Sequence, residues 1–352
     1  MNVMTMIVGI IALILVHIFV LTQVQNGLDF SFGINTIALS SIVVLLQAGS
    51  LWIAYVIAEP VYCYVYKILA IYLGFGLNVF VGAVIYFTLS FFMNVNVIVC
   101  IILYIVYPIC ICIYGMKNAK QINVDRINLK YPGLQKKITI CHLSDIHLGA
   151  IYQKWFIQKI VDKILELKPD IVVITGDLAD GSLRVKSDWM SPFDTLSIPV
   201  LYITGNHEKI HGKTPMLTAV QGTRINYVGN TNYEFNGVNF VGIDFEYDLK
   251  KRLKELVPRG QNKNVPNVLL YHIPELKPKE LEEFDIFLFL AGHTHGGQVF
   301  PFQPLVFLGN KCFAGLYSHN NNHIYVSTGV GTALPPMRIG SKSVIAMITL
   351  EG

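Results

Sequence analysis

The chain has 352 residues, of which 53% are hydrophobic and only 14% charged, against about 25% charged in an ordinary soluble domain. Of its 27 basic and 23 acidic residues, only Asp29, Glu59 and Lys67 precede residue 117. That split excludes a disordered chain, a collagen-like fibre and a wholly soluble enzyme. It points to a membrane module at residues 1–116, a connector and edge segment at 117–136 and one globular domain at 137–352, long enough to bury a sizeable core. The net charge of +4 is too small to argue for nucleic acid. The six cysteines contain no C-x-x-C pair, so neither a zinc ribbon nor a disulfide framework is expected.

Four apolar stretches, at 3–21, 35–57, 68–92 and 95–116, are long enough to cross about 30 Å of hydrocarbon. The second loop carries Glu59 and Lys67, and Lys117, Lys120, Arg126 and Lys130 follow the fourth stretch. An even number of spans with this basic side places the protein in the cell membrane as a multi-pass protein, with both termini and the globular domain in the cytoplasm. His17 is the ionisable residue inside a span, and Gln47 and Asn78 are the polar ones. A lone histidine on an apolar helix is read as packed or interfacial. Gly74, Gly76 and Gly82 suit close helix packing. The module is therefore read as an anchor in contact with lipid, not as a transporter.

Beyond the connector, strand and helix signals alternate. Strands are expected at 137–143, 170–175 and 199–204, with an apolar helical spacing at 154–167 (Trp155, Ile157, Ile160, Val161, Ile164, Leu165). Shorter strands follow at 226–228, 234–235 and 239–243 and longer ones at 267–271, 286–291, 323–327 and 344–350. Helices are expected at 250–257 and 277–284. This is the order of a layered α/β or α+β domain with one or two mixed sheets flanked by helices.

The chemistry lies at the strand ends. Five apolar runs each end in a short polar cluster: Ser144-Asp145-Ile146-His147, Gly176-Asp177, Gly205-Asn206-His207-Glu208, Tyr271-His272 and Gly292-His293-Thr294-His295. In open α/β folds the carboxyl ends of strands converge on a crevice. Convergence would gather Asp145, His147, Asp177, Asn206, His272, His293 and His295. Asp145 and His147, two apart, face the same way, as do His293 and His295. Carboxylates with neutral imidazoles form a mixed N/O set suited to Mn2+, Fe2+ or Zn2+. Each piece alone is a weak signal; five in one order, each after a strand, are a strong one. Cys141 beside His142 invites a thiol nucleophile, but neighbouring strand residues face opposite ways.

In that order of motifs the domain resembles the calcineurin-like metallophosphoesterases. The segments Gly-His-Thr-His-Gly-Gly-Gln at 292–298, Tyr-Val-Ser-Thr-Gly-Val-Gly-Thr at 325–332 and Pro-Pro-Met-Arg at 335–338 resemble its membrane-attached bacterial YkuE/YaeI-like branch, related to the calcineurin-like UDP-2,3-diacylglucosamine pyrophosphatases. The resemblance implies a β-sandwich flanked by helices and two divalent metals, with Mn2+ favoured. Asp145, His147 and His295 would hold one metal, Asn206, His272 and His293 the other, and Asp177 would bridge them. His207 would face the scissile phosphate as the catalytic acid. Glu208 stands where Asp is more usual and would act behind the ligands.

The implied activity is hydrolysis of a phosphate ester or pyrophosphate by a metal-activated hydroxide. The substrate would be a phosphorylated small molecule or, attractively, a lipid-linked phosphate. Arg338 is the best candidate for a phosphate clamp and Gln298 a second substrate contact; Arg184 and Arg224 are weaker. The competing reading is a non-catalytic metal-binding scaffold or sensor with the same fold. Ligand loss would mark it, and none of the expected ligands is missing.

Overall fold

The computed structural model describes residues 3–29, 35–210, 212–245, 248–257 and 265–352. The chain divides into two compact units, Met1–Lys117 with Leu334–Met337 and Asn118–Ala333 with Arg338–Gly352.

The first unit is helical: α1 (Val3–Leu28), α2 (Thr36–Ile57), α3 (Glu59–Ser90) and α4 (Val97–Lys120), whose last residues belong to the second unit. The Asn35 side chain accepts from the Ile37 and Ala38 amides to start α2, and Asn96 accepts from the Val99 amide to start α4, both standard N-cap arrangements. The unit is inside out by the standards of a soluble bundle. Leu45, Trp52 and Ile98 are exposed, while Asn78 is buried. Asn78 Nδ2 donates to Gly74 O at 2.8 Å, and the Tyr107 hydroxyl donates to Asn78 Oδ1 at 3.3 Å. Apolar exterior and internally satisfied polar groups are what a hydrocarbon solvent selects. Gly82 lies against the carbonyl of Leu103, where a methyl would come within 2.3 Å of the oxygen. That carbonyl belongs to a π-helical turn in α4, Ile102–Val106. His17 Nε2 lies 3.0 Å from the Tyr72 hydroxyl, in keeping with a packed role.

Among the described residues, three helices (α2, α3 and α4) are long and apolar enough to cross a membrane, and α1 contributes the shorter apolar stretch Ile14–Leu28. One expectation changes here: the expected second loop is absent. Only Ala58 separates α2 from α3, and Glu59 and Lys67 lie within α3. Pro60 sits in the first turn, where its missing amide costs nothing, and Glu59 faces the positive helix end. Lys67 is therefore not a loop charge, and the orientation argument rests on the basic residues after residue 116.

Among the described residues, the second unit contains two six-stranded sheets. The first runs β1 (Ile122–Lys130), β12 (Ser343–Glu351), β2 (Ile138–Leu143), β3 (Ile171–Thr175), β4 (Val200–Ile203), β5 (Ile225–Tyr227). The second runs β10 (Gly315–His319), β11 (Asn322–Val326), β9 (Leu288–Ala291), β8 (Asn267–Leu270), β7 (Val238–Gly242), β6 (Thr231–Phe235). Strands β2 to β5 are mutually parallel, as are β7, β8, β9 and β11. The connector thus contains a strand, β1, paired in parallel with β12 from Ile122↔Ser343 to Lys130↔Glu351.

Period-two alternation sorts each strand between layers. Ile138, Ile140, Val173 and Leu201 meet Val268, Leu270 and Leu288 between the sheets. Cys141, Leu143, Val172 and Ile174 face outward onto α5 (Lys154–Leu167) and α6 (Lys213–Val220). On the other outer face, Val241, Leu269 and Phe289 pack with Leu249 and Leu253 of α7 (Leu249–Leu256). The result is helix, sheet, sheet, helix, as expected, with the carboxyl ends of two parallel strand sets at the chemistry-bearing loops.

Candidate metal centre

Register brings the strand ends level. Leu143 pairs with Ile174, Thr175 with Ile203, Leu270 with Leu290 and Val326 with Ala291. The residue or residues after each strand must then turn sharply into one crevice. Asp145, His147, Asp177, His293 and His295 all do so in the left-handed region, with φ of 53°, 56°, 50°, 71° and 51°. Non-glycine residues held there cost about 1–3 kcal/mol each and cluster at working sites. Glycines open the remaining space. A methyl on Gly205 would lie 2.3 Å from Asp177 Oδ1, and one on Gly292 would lie 2.3 Å from Asp145 Oδ2.

The side chains gather into overlapping groups whose ligand atoms lie within 4.8 Å of one another: Asp145, His147 and His295; Asp177, His272 and His293; and His147, Asp177 and His207. Asp177 Oδ2 is the shared point, 3.2 Å from His272 Nε2 and 3.9 Å from the Nε2 atoms of His147 and of His207. His295 Nε2 lies 3.4 Å from Asp145 Oδ1 and 3.0 Å from His147 Nε2. Two buried imidazole nitrogens aimed at one point suit a common cation better than each other. Asn206 Oδ1 is buried with no hydrogen-bond partner, the state expected of an oxygen that completes a metal shell. The donor set therefore fits two divalent ions.

Hydrogen bonds fix the ligands from behind. His272 Nδ1 donates to Thr175 O at 2.8 Å, leaving Nε2 to face Asp177. Burial opposes a charge on His272, but the carboxylates of Asp177 and Asp145 hold its pKa up to about 10. Burial would raise the Asp177 pKa, yet the neighbouring imidazoles, His272 foremost, hold it below the usual range. Burial depresses His147 to about 3 and His293 to about 4, so both are neutral donors with free lone pairs. His207 is different. Its side chain is 30% exposed, its Nδ1 donates to Asp180 O at 2.9 Å, and its backbone amide donates to Asp177 Oδ1 at 2.9 Å. Its position admits both the expected acid and a ligand.

Two expected substrate contacts are corrected. Arg338 is fully buried. Its Nη1 donates to His295 O and Ser341 Oγ, and its Nη2 to the carbonyls of Thr328, Gly329 and Gly331, at 2.6–3.2 Å. No outward face is left for a phosphate; the guanidinium ties the His295 loop to the loop after β11. That loop in turn backs Asp145, since the Gly331 amide donates to Asp145 O at 2.9 Å. Gln298 is also buried, and its amide makes a two-point pair with the backbone of Ala333 at 2.9 and 3.1 Å.

Two acids hold the centre together: Glu208, expected behind the ligands, and Asp244, which the sequence reading missed. The Glu208 carboxylate accepts from four backbone amides, those of Gly205, Leu178, Ala179 and Asp177, at 2.6–3.2 Å. It links the loops after β3 and β4. Asp244, buried beyond β7, accepts from the Thr204 amide at 3.0 Å and contacts Lys213 and the Tyr227 hydroxyl. Ile243-Asp244 repeats the pattern of an apolar strand ending in a polar residue, which was the available signal. Cys141 and His142 are buried in the sheet. Burial raises the thiol and holds His142 down to about 3, so the pair offers no nucleophile. A cavity of about 710 Å³ beside Tyr271, lined also by Asp248, Lys250 and Lys311, contains none of the candidate ligands of the centre; the ligand cluster, not the concavity, marks the site.

The family model described as calcineurin-like phosphoesterase matches residues 138–297. The chain is 34% identical over 229 residues to an uncharacterized metallophosphoesterase of Helicobacter pylori, covering 62% of this chain and 60% of that protein. It is 31% identical over 258 residues to one of Campylobacter jejuni, covering 70% and 68%. It is 30% identical over 279 residues to a protein of Danio rerio named transmembrane protein with metallophosphoesterase domain, covering 71% and 62%. The chain thus spans about 60% of the length of the Helicobacter relatives it matches.

Proposed function

The chain belongs to the calcineurin-like phosphoesterase family, and on that premise we propose that it is an integral-membrane phosphohydrolase using two divalent metal ions, with Mn2+ favoured. The observation that carries this reading is the pair of ligand groups, Asp145 with His147 and His295 and Asp177 with His272 and His293, with Asp177 Oδ2 also 3.9 Å from His147 Nε2. Asp145, His147 and His295 would hold one ion, Asn206, His272 and His293 the other, and Asp177 both. Bound there, two ions would supply Lewis acidity for the phosphoryl oxygens and lower the pKa of an attacking water. The residues do the rest. Thr175 O fixes His272 with Nε2 inward, and Glu208 and Arg338 hold the ligand loops against the strands. His207, with Nδ1 committed to Asp180 O, presents Nε2 to the crevice and donates the proton that the leaving oxygen needs.

Three apolar helices and a relative named as a transmembrane protein support membrane residence. The basic residues after residue 116 favour a cytoplasmic domain. A substrate at the membrane face, a phosphate ester or pyrophosphate on a lipid, fits that placement.

The test is hydrolysis by the full chain in detergent, stripped of metal and reloaded with Mn2+, using bis(p-nitrophenyl) phosphate and p-nitrophenyl phosphate. Mn2+-dependent turnover is expected. His207→Ala should lower it about 10²–10⁴-fold with metal retained, and Asp177→Asn should lose both turnover and metal. A folded protein that binds no metal would sink the reading.

A further inference from the structure

From Gly296 to Asn310 the chain carries no charged side chain, directly after the ligand His295. This stretch includes α8 (Gln303–Gly309), a helix with no buried residue. Its large apolar side chains stand in the open: Phe300 is 48% exposed, Phe302 45%, Leu305 66%, Phe307 59% and Leu308 79%. Other exposed apolar residues of this unit, such as Trp155 and Ile210, are single and ordinary. Five within nine residues form a patch that needs an occupant.

The patch is firmly rooted. The Phe300 amide donates to Ile339 O at 2.9 Å, and Gln303 Nε2 donates to the same oxygen at 2.6 Å. At Gly297 a methyl would lie 2.6 Å from Gln303 Cα, so the root of α8 touches the turn two residues beyond His295. Nothing on the projecting face offers a charge or a hydrogen bond that a polar protein partner would use. Phenylalanine, leucine and proline without cations or anions match hydrocarbon. The chain itself supplies a reason for hydrocarbon to be at hand: only Gln121 lies between α4, long and apolar enough to cross a bilayer, and β1. A one-residue tether keeps the unit at whatever surface α4 leaves.

We propose that the Phe300–Leu308 segment is an interfacial anchor that inserts into the acyl region of the lipid leaflet beside the metal centre. Insertion of such a short apolar face places its backbone at the headgroup boundary. The His295 loop, from which it springs, is then presented to phosphate groups in the headgroup layer. The inference concerns the surface alone and stands whether or not the phosphohydrolase reading does.

The experiment places a reporter on the patch. Leu308→Trp is made in a Trp52→Phe background of the full chain, and the protein is reconstituted into phosphatidylcholine vesicles with or without brominated acyl chains. Asn320→Trp, on the β10–β11 turn, is the control. Fluorescence added by Leu308→Trp should fall by about twofold or more in brominated vesicles, while that added by Asn320→Trp should not. Undiminished Leu308→Trp emission would overturn the proposal, as would equal quenching at both sites. Unquenched but blue-shifted emission would mark burial against a second copy and would overturn it too.

Discussion

Individual residues at the centre are held by buried groups that bond to the backbone of the ligand loops. Glu208 accepts from four amides of two loops. Glu208→Gln keeps the volume but turns an NH2 toward amide donors. We expect it to cost about 1–3 kcal/mol of stability and about 10–100-fold in metal affinity, measured by thermal melting and by metal titration. Arg338→Lys removes a planar fork that serves three loop carbonyls and His295 O; a lysine ammonium cannot span them. A loss on the order of 3 kcal/mol with reduced metal occupancy is expected, and an unchanged melting curve would refute the role. These two residues also mark where reading from sequence stops. The metal-type clusters were legible because Asp, Asn and His directly after Val/Ile runs are chemically conspicuous. Arg338 and Gln298 were misassigned because a sequence shows donors without showing which acceptors they meet. The left-handed backbone at Asp145, His147, Asp177, His293 and His295 has no composition signal at all, since it is imposed by the loops' tertiary contacts.

Among elements, the central strands and α5 were legible from periodicity, with one shift of phase. Trp155 and Leu165 point outward, and Phe156 joins Ile157, Ile160, Val161 and Ile164 on the buried stripe. Ile160→Ala, at a fully buried position, should cost about 2–5 kcal/mol, read from the denaturant midpoint. β1 looked like a connector because Asp125 and Arg126 interrupt its alternation; pairing with β12, not its own pattern, makes it a strand. α8 escaped notice because an apolar run usually signals burial, and this one is exposed. The α2–α3 junction was misplaced because apolarity defines where a helix can meet lipid, while capping defines where it ends.

For the whole molecule, metal bound at the proposed centre would be coupled to the fold. Ions that bind only the folded state stabilise it by mass action, about 2.7 kcal/mol at a hundred times the dissociation constant. Chelator treatment should therefore lower the calorimetric midpoint of the full chain, and Mn2+ should restore it. Asp177→Asn should abolish the increment, whereas His207→Ala should keep it. A midpoint indifferent to metal would mean that the five left-handed residues are held without help from a cation.

The sheet order β1-β12-β2 has a consequence for biosynthesis. The strand that fills the slot between β1 and β2 begins 200 residues after β2 ends, on the order of 10–40 s later at the ribosome's pace. Throughout that interval β1 and the flank of β2 are open edges, close in sequence to the apolar helices being made just before them. Nascent chains halted short of Ser343 should accordingly be sticky, protease-sensitive species and strong clients of chaperones, and chains extended past Glu351 should not.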